Sequence, residues 1–324
     1  MPLNFNATRS EPNNTQTNPV KPQPSPKTEP KTFSITQPKF TFDDLILPQN
    51  VLDELKTVVE APRLWETVFR QWDLRSVMKD RENLFVDLYG DPGTGKTMAA
   101  HAIANAMNKD LLCVNYAEVE SKYVGETGKN LLSLFDFAKN KDIVLFFDEA
   151  DALLSKRVTN MNNATDVSVN QTRSVLLTLL NDYSGMVIFA TNFVSNYDPA
   201  FMRRIQYHIK FTLPDEILRE RLWRKYIPPK MPVNIDFSEI SKKYAGISGS
   251  DISNAVLKAA LRAAKSREEL VRHEYFCDAV QSIIDSKSAN SGDETVTVRE
   301  ISEEEYREKT KKTAVTTVDL RKNK

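Results

Sequence analysis

Between residues 84 and 211, short apolar runs alternate with stretches in which apolar residues return every three or four positions. The runs cover 84–89, 111–115, 143–147, 186–190 and 205–211. Short apolar runs of this kind read as strands buried on both faces. Strands alternating with helical patterns predict a doubly wound, parallel α/β sheet with helices on both sides. Upstream, Val51, Leu52, Leu55, Val58 and Val59 repeat at helical spacing, so order is predicted to begin near Phe40. After Leu213-Pro214 the pattern predicts helices only. One carries Ile217, Leu218, Leu222 and Trp223, and another Ile252, Val256, Ala259, Ala260 and Ala263.

Composition sets the ends. Eight of the 16 prolines fall before residue 40, in a Ser/Thr/Asn/Lys-rich stretch without glycine. Such a stretch buries too little apolar surface to fold alone. The expected organisation is a disordered Pro-rich arm over 1–39, an α/β domain over 40–212, a small helical domain over 213–285 and a charged, disordered tail over 286–324.

The 324 residues carry 44 Lys+Arg against 44 Asp+Glu. A formal net charge of zero removes the whole-chain electrostatic argument for a nucleic-acid or membrane-surface binder. No run approaches roughly eighteen apolar residues and no signal-peptide pattern opens the chain, so a cytoplasmic location without a membrane partner is expected. Cys113 and Cys277 fall in different predicted elements and read as reduced packing residues.

Glycine is scarce, nine in all, yet three of the nine lie in Gly90-Asp91-Pro92-Gly93-Thr94-Gly95-Lys96-Thr97, after a predicted strand and before an Ala-rich helix. This is G-x-x-x-x-G-K-[ST], a loop whose backbone N–H groups and following helix N-terminus cradle phosphates. In that pattern Lys96 reaches the β/γ-phosphates and Thr97 ligates Mg²⁺. Residues 143–147 run into Asp148-Glu149, two acids at the C-terminal edge of a buried strand, where open α/β sheets place ligands. Paired acids at a strand end are commonly capping or solvated groups. Downstream of a phosphate loop they are assigned to the metal (Asp148) and to the attacking water (Glu149). Asp148-Glu149-Ala150-Asp151 also spells the box of a helicase superfamily. Such helicases clamp nucleic acid with a second α/β domain, for which only about seventy helical residues follow here, and a backbone-tracking groove favours a basic surplus.

With these motifs in order, the chain resembles the AAA ATPases over about residues 40–285, specifically the branch of katanin, spastin and FtsH-like unfolding and severing motors. The resemblance implies a doubly wound sheet with a helical lid, and ATP with Mg²⁺ bound between subunits of a homo-oligomeric ring, usually a hexamer. It makes Asp91 to Met98 nucleotide-binding and Asn192, in Ala190-Thr191-Asn192, a sensor of the γ-phosphate or attacking water. Arg203 and Arg204, after Asp198-Pro199-Ala200-Phe201-Met202, become arginine fingers for the neighbouring subunit. Lys122-Tyr123-Val124-Gly125-Glu126 resembles a pore loop that grips extended polypeptide, Tyr123 supplying a flat apolar face at low rotamer cost. A second pore loop would fall in 158–170. Gly246-Ile247-Ser248-Gly249-Ser250-Asp251 resembles the lid motif over the adenine, with Gly249 and Ser250 approaching the base and a helix beginning near Asp251. Asp91 departs from the family's usual Pro, and an acid near phosphates weakens affinity.

The function so implied is ATP-driven remodelling, unfolding or disassembly of a protein substrate, selected by the arm, the tail, the pore or an adaptor. A nucleotide-switched scaffold with little turnover stands as the alternative, followed by nucleic-acid translocation.

Overall fold

The structure is a computed structural model, and it describes residues 35–78, 83–115, 126–156, 164–192 and 197–291. Lys122, Tyr123 and Val124 lie outside the described residues, as does the first part of the segment assigned to a second pore loop.

The described chain starts with β1 (Ile35–Thr36), in the stretch assigned by composition to the arm. It lies antiparallel to the strand Leu111–Asn115 (β3), with Ile35 opposite Leu112 and Thr36 opposite Leu111. Two residues are too few to produce a hydrophobic period, so composition alone does not show the strand. Leu45 and Leu47 then enter the core, and α1 (Gln49–Trp65) buries Val51, Leu55 and Val58, one face of a helix at spacings of four and three.

The α/β domain continues with β2 (Leu84–Gly90), α2 (Lys96–Ala106), β3 (Leu111–Asn115), α3 (Glu126–Lys141), β4 (Val144–Asp148), α4 (Asp151–Leu154), α5 (Ala164–Asp182), β5 (Met186–Thr191), α6 (Pro199–Met202) and β6 (Tyr207–Phe211). Among the described residues the main sheet has six strands in the order β1-β3-β4-β5-β2-β6, parallel except for β1. The five expected strands are all present. Residues 144–147 of β4 and all six residues of β5 are buried, as strands covered on both faces require. Phe147 stacks on Phe189 with centroids 5.4 Å apart, locking β4 to β5. Helix α2 carries Ala99, Ala100, Ala102, Ile103 and Ala104, all fully buried. Small side chains on several faces let this helix sit deep against β4 and β5.

Strand order places the site. From β2 the chain crosses past β5 and β4 to β3, returns strand by strand to β5, and then passes β2 to β6. The C-terminal ends of β2, β4 and β5 therefore lie side by side at the point where the winding changes direction.

Beyond Pro214 come α7 (Glu216–Tyr226), β7 (Val233–Asn234), α8 (Phe237–Lys243), α9 (Gly249–Ser266), β8 (Val271–Arg272) and α10 (His273–Ser291). Helices only were expected. The structure adds a parallel pair in which Val233 faces Val271 and Asn234 faces Arg272. Again, two-residue strands leave no periodic signal. The lid has its own core, with Trp223 and Phe276 packed edge to face at 6.0 Å among Ile240, Ile252 and Val280. Helix α9 begins at Gly249, two residues before the expected start, because Ser248 and Asp251 form a reciprocal capping box. Lys287, on α10, pairs with Asp251 at 2.5 Å, and α10 continues past the expected boundary at residue 285 to Ser291.

Candidate nucleotide-binding site

The loop after β2 turns on glycine geometry. Gly90 has φ +136°, and a Cβ there would lie 1.9 Å from the Phe211 carbonyl oxygen, so the loop leaves β2 in contact with β6. Gly95 has φ +103° and caps α2, and a Cβ on it would point into open space. That space is the cradle at the helix N-terminus, where N–H groups and the helix dipole favour an anion. Thr94 braces the loop through a hydrogen bond from its hydroxyl to the Asp91 carbonyl, 2.7 Å.

Lys96 is buried, and its Nζ donates to the carbonyls of Gly90 (2.7 Å) and Asp91 (2.9 Å) and to Asn192 Oδ1 (3.0 Å). Burial pushes its ammonium below the usual lysine range, opposed by the fields of Asp148, Asp151, Asp91 and Asp87. Anionic oxygens brought into the cradle add to that opposition and favour the charged form. Asn192 is oriented from its other side, its backbone N–H donating to Asp151 Oδ1 at 2.9 Å.

At the end of β4, Thr97 Oγ1 donates to Asp148 Oδ2 at 3.1 Å. Asp148 Oδ1 accepts from the Glu149 N–H at 3.0 Å. Glu149 has φ +51°, the left-handed region in which a side chain costs about 1–2 kcal/mol. The strain is retained because Ala150 N–H donates to the Ala190 carbonyl, pinning the next residue to β5. The turn leaves Glu149 on the wall of the cleft.

This cleft has a volume of ≈ 450 Å³, and Lys96, Thr97, Asp148, Glu149 and Asn192 all line it. Pro92, Gly93, Gly95 and Met98 continue the wall on the loop side, and Ser250, Ser253 and Asn254 close it from the lid. A second pocket adjoins, sharing Gly93, Gly95, Met98 and Tyr226 with the first. Ile46, Leu47, Leu218, Leu222, Thr94 and Gly249 are among its other lining residues. The lid is held against the loop by the Ser250 N–H, which donates to the Gly93 carbonyl at 3.2 Å. Lys225 Nζ reaches the Asp43 carbonyl (3.1 Å) and Asp44 Oδ1 (3.2 Å). The Thr41 N–H and Lys225 together hold the Asp44 carboxyl below its usual range.

One cleft with a cationic floor, a hydroxyl–carboxylate pair and a second acid beside an apolar pocket matches the shape and charge of a nucleotide. Among the described residues there is no cluster of three His, Cys, Asp or Glu side chains able to hold a metal. The donors that fit a hard divalent cation are Thr97 and Asp148, a set that phosphate oxygens and water would complete.

The structure does not bring every expected site residue here. Arg203 Nε donates to the Pro199 carbonyl, 3.2 Å. Arg204 donates to Asn181 Oδ1 (2.8 Å) and to the Ala200 carbonyl (2.7 Å). Neither arginine lines the cleft of its own chain. Conversely, residues 44–48, Tyr226, Ser253 and Asn254 line the two pockets without having been singled out in the sequence. The sequence offers for the first of these only the apolar run Leu45-Ile46-Leu47; the structure shows Leu45 and Leu47 buried in the core and Ile46 lining the pocket.

Residues 86–213 match the model of the ATPase family associated with various cellular activities, AAA. The chain is 31% identical over 262 residues to a proteasome-activating nucleotidase of Saccharolobus islandicus, covering 78% of this chain and 65% of the relative. It is 29% identical over 264 residues to the nucleotidases of the same name from Methanopyrus kandleri and Methanococcus maripaludis, covering 79% of this chain and 59% and 63% of theirs. The chain thus spans less than two thirds of the length of these curated relatives. On the family match and the cleft it encloses, the chain carries a nucleotide-binding domain of the AAA ATPase family.

Proposed function

We propose that the chain hydrolyses ATP with Mg²⁺ in this cleft, and that copies of it form a ring, a hexamer, which uses the cycle to remodel, unfold or disassemble a protein substrate. The observation that carries this is the convergence of Lys96, Thr97, Asp148, Glu149 and Asn192 on one cleft with no arginine among its described lining residues, while Arg203 and Arg204 stand elsewhere on the same domain.

Each residue has a task in that scheme. The loop from Asp91 to Met98 holds the phosphates, with Lys96 supplying the charge and the backbone the donors. Thr97 and Asp148 hold the metal, which supplies neutralisation of charge between the phosphoryl groups. Glu149 orients and polarises the water that attacks. Asn192 reports on that water or the terminal phosphate. Gly249 and Ser250, at the start of α9, close over the base. Arg203 and Arg204 of one copy enter the cleft of the next, where a guanidinium stabilises charge developing on the transferring phosphoryl oxygens. Lys122, Tyr123 and Val124 are the proposed grip on the polypeptide. The relatives' shared name joins a nucleotidase to activation of a proteasome. What we carry to this chain is ATP-driven handling of a polypeptide or its adaptor, in the cytoplasm and without nucleic acid.

The test is hydrolysis per subunit against protein concentration for the wild type, Glu149→Gln, Arg204→Ala and an equimolar mixture of the two variants. Sites shared between copies give activity that climbs with concentration. They also give two inactive variants that regain activity on mixing, because an Arg204→Ala cleft then meets an intact arginine. Flat activity and no complementation would leave a nucleotide-switched scaffold as the better description.

A further inference from the structure

Asp87 is a carboxylate in the middle of β2, between Val86 and Leu88, and it is fully buried. A charge placed there is costly unless paired and hydrogen-bonded, and an apolar residue would fill the same place at no such cost. Its partners come from three directions. Thr191 Oγ1 donates to its Oδ1 at 3.3 Å, and Tyr197 Oη donates to the same oxygen at 3.2 Å. The two hydroxyls also contact each other. His208 Nδ1 faces Oδ2 at 3.4 Å from β6.

The two hydroxyls belong to residues with neighbours of interest. Thr191 immediately precedes Asn192, whose side chain accepts from Lys96. Tyr197 immediately precedes Asp198, whose carboxylate accepts from the Ala200 N–H and starts α6, and Arg203 and Arg204 follow that helix. Thr191 and Tyr197 thus mark the two ends of the connection between the residue that meets Lys96 and the arginine segment. Both are held by one oxygen on the strand that leads into the phosphate loop. The backbone adds a second tie, since Asp198 N–H donates to the Leu154 carbonyl at the end of α4.

We infer that Asp87 is a positioning residue that holds Asn192 and the Arg203–Arg204 segment in one fixed relation, so that the cleft of one copy and the arginines it lends to the next are set together. This rests on the shared-site ATPase proposed above. Asp87 is not among the residues that line the cleft and acts through Thr191 and Tyr197, while His208 Nδ1 faces its other oxygen. Loss of the hydroxyl tie with the Asp87 charge kept leaves the phosphate loop in place, because Thr94 braces it and Lys96 is still held by the Gly90 and Asp91 carbonyls, and lowers turnover.

The test uses the full chain with Tyr197→Phe, which removes one hydroxyl from a buried ring, and with Asp87→Asn and Asp87→Leu. Backbone amide exchange by mass spectrometry needs no turnover. Tyr197→Phe and Asp87→Leu are expected to speed exchange together at the amides of Asn192 and Ala200, leaving α2 and β3 unchanged. Hydrolysis by Tyr197→Phe, which keeps the Asp87 charge that favours the ammonium of Lys96, should show kcat reduced about 10-fold with the affinity for a non-hydrolysable ATP analogue within about twofold. Asp87→Asn, which keeps a side-chain oxygen as acceptor, should recover part of the loss seen in Asp87→Leu. In an Asn192→Ala background Tyr197→Phe should add little, since both act on the same element. Exchange that rises at only one of the two amides, or at neither, overturns the inference whether or not the protein hydrolyses ATP. So does Tyr197→Phe with unchanged kcat. A wild type without hydrolysis overturns the ATPase proposal instead, and the coupled exchange still decides the role of Asp87.

Discussion

Lys96 Nζ donates to Asn192 Oδ1 at 3.0 Å, joining residues 96 positions apart. The contact ties the loop after β2 to the end of β5, two strands that pair in parallel from Leu84 opposite Met186 to Tyr89 opposite Thr191. Because that register is set by six successive residue pairs, the two side chains meet without either loop having to search. A charge-assisted hydrogen bond of this kind costs more to leave half-made than it contributes when whole. Asn192→Leu is therefore expected to weaken the fold by about 1–3 kcal/mol, read from the urea midpoint, and to lower hydrolysis as well. Asn192→Asp, which keeps the acceptor, should retain the stability.

Glu149 should behave oppositely in the two assays. Its φ of +51° is a conformation that glycine adopts without the Cβ penalty. Glu149→Gly is expected to raise stability by about 0.5–1 kcal/mol in denaturant melts while hydrolysis disappears. Equal or lower stability would show that the turn is not strained by its side chain.

Gly90 offers no such latitude. A Cβ placed 1.9 Å from the Phe211 carbonyl oxygen, on backbone at φ +136°, cannot be accommodated by rotating a side chain. Gly90→Ala should cost more than about 3 kcal/mol and separate β6 from the loop, measurable as a large drop in melting temperature.

The apolar pocket should discriminate the base. Tyr226 lines both this pocket and the phosphate cleft. Removing it with Tyr226→Ala is expected to weaken ATP about 10-fold, roughly 1.4 kcal/mol, while inorganic triphosphate binds as before. Calorimetric titration with the two ligands separates the effects.

His101 gives the fold a pH dependence. It is buried on α2, its Nδ1 accepts from the Lys39 N–H at 3.3 Å, and Phe40 packs edge-on at 5.8 Å. Burial, followed by the field of Lys39, holds its pKa below the usual 6.5, with Asp148 opposing. A neutral native histidine that protonates more easily when unfolded makes stability fall as pH drops below 6.5, levelling once pH is below the native value. The wild-type urea midpoint should therefore decline between pH 7 and pH 5 more steeply than that of His101→Asn, whose Oδ1 keeps an acceptor. Parallel curves would exclude His101 as the source.

Much of the site was legible because its residues are close in sequence. Gly90 to Thr97 is one turn between a strand and a helix, and its spacing is dictated by the phosphate it encloses. Asp148 and Glu149 stand where a fully buried strand ends. The lid helices follow from their period, and α9 starts two residues earlier than expected because Ser248 and Asp251, which both suit a helix start, act together as its cap.

The sequence by itself determined the five longer strands of the sheet, the helical character of the segment after Pro214 and the identity of the phosphate loop, since each depends on neighbours a few positions away. Tertiary structure alone decided that Ile46 and Tyr226, 180 positions apart, line one apolar pocket. It also decided that Arg203 and Arg204 bond to their own helix and to Asn181, away from the cleft of their chain. Asp87 is the clearest case: in the sequence it interrupts an apolar strand, and its meaning appears only when Thr191, Tyr197 and His208 arrive from later elements. The physical reason is common to all three. Local patterns set backbone conformation, whereas the partner of a side chain is set by crossovers that bring together residues with no spacing relation in the chain.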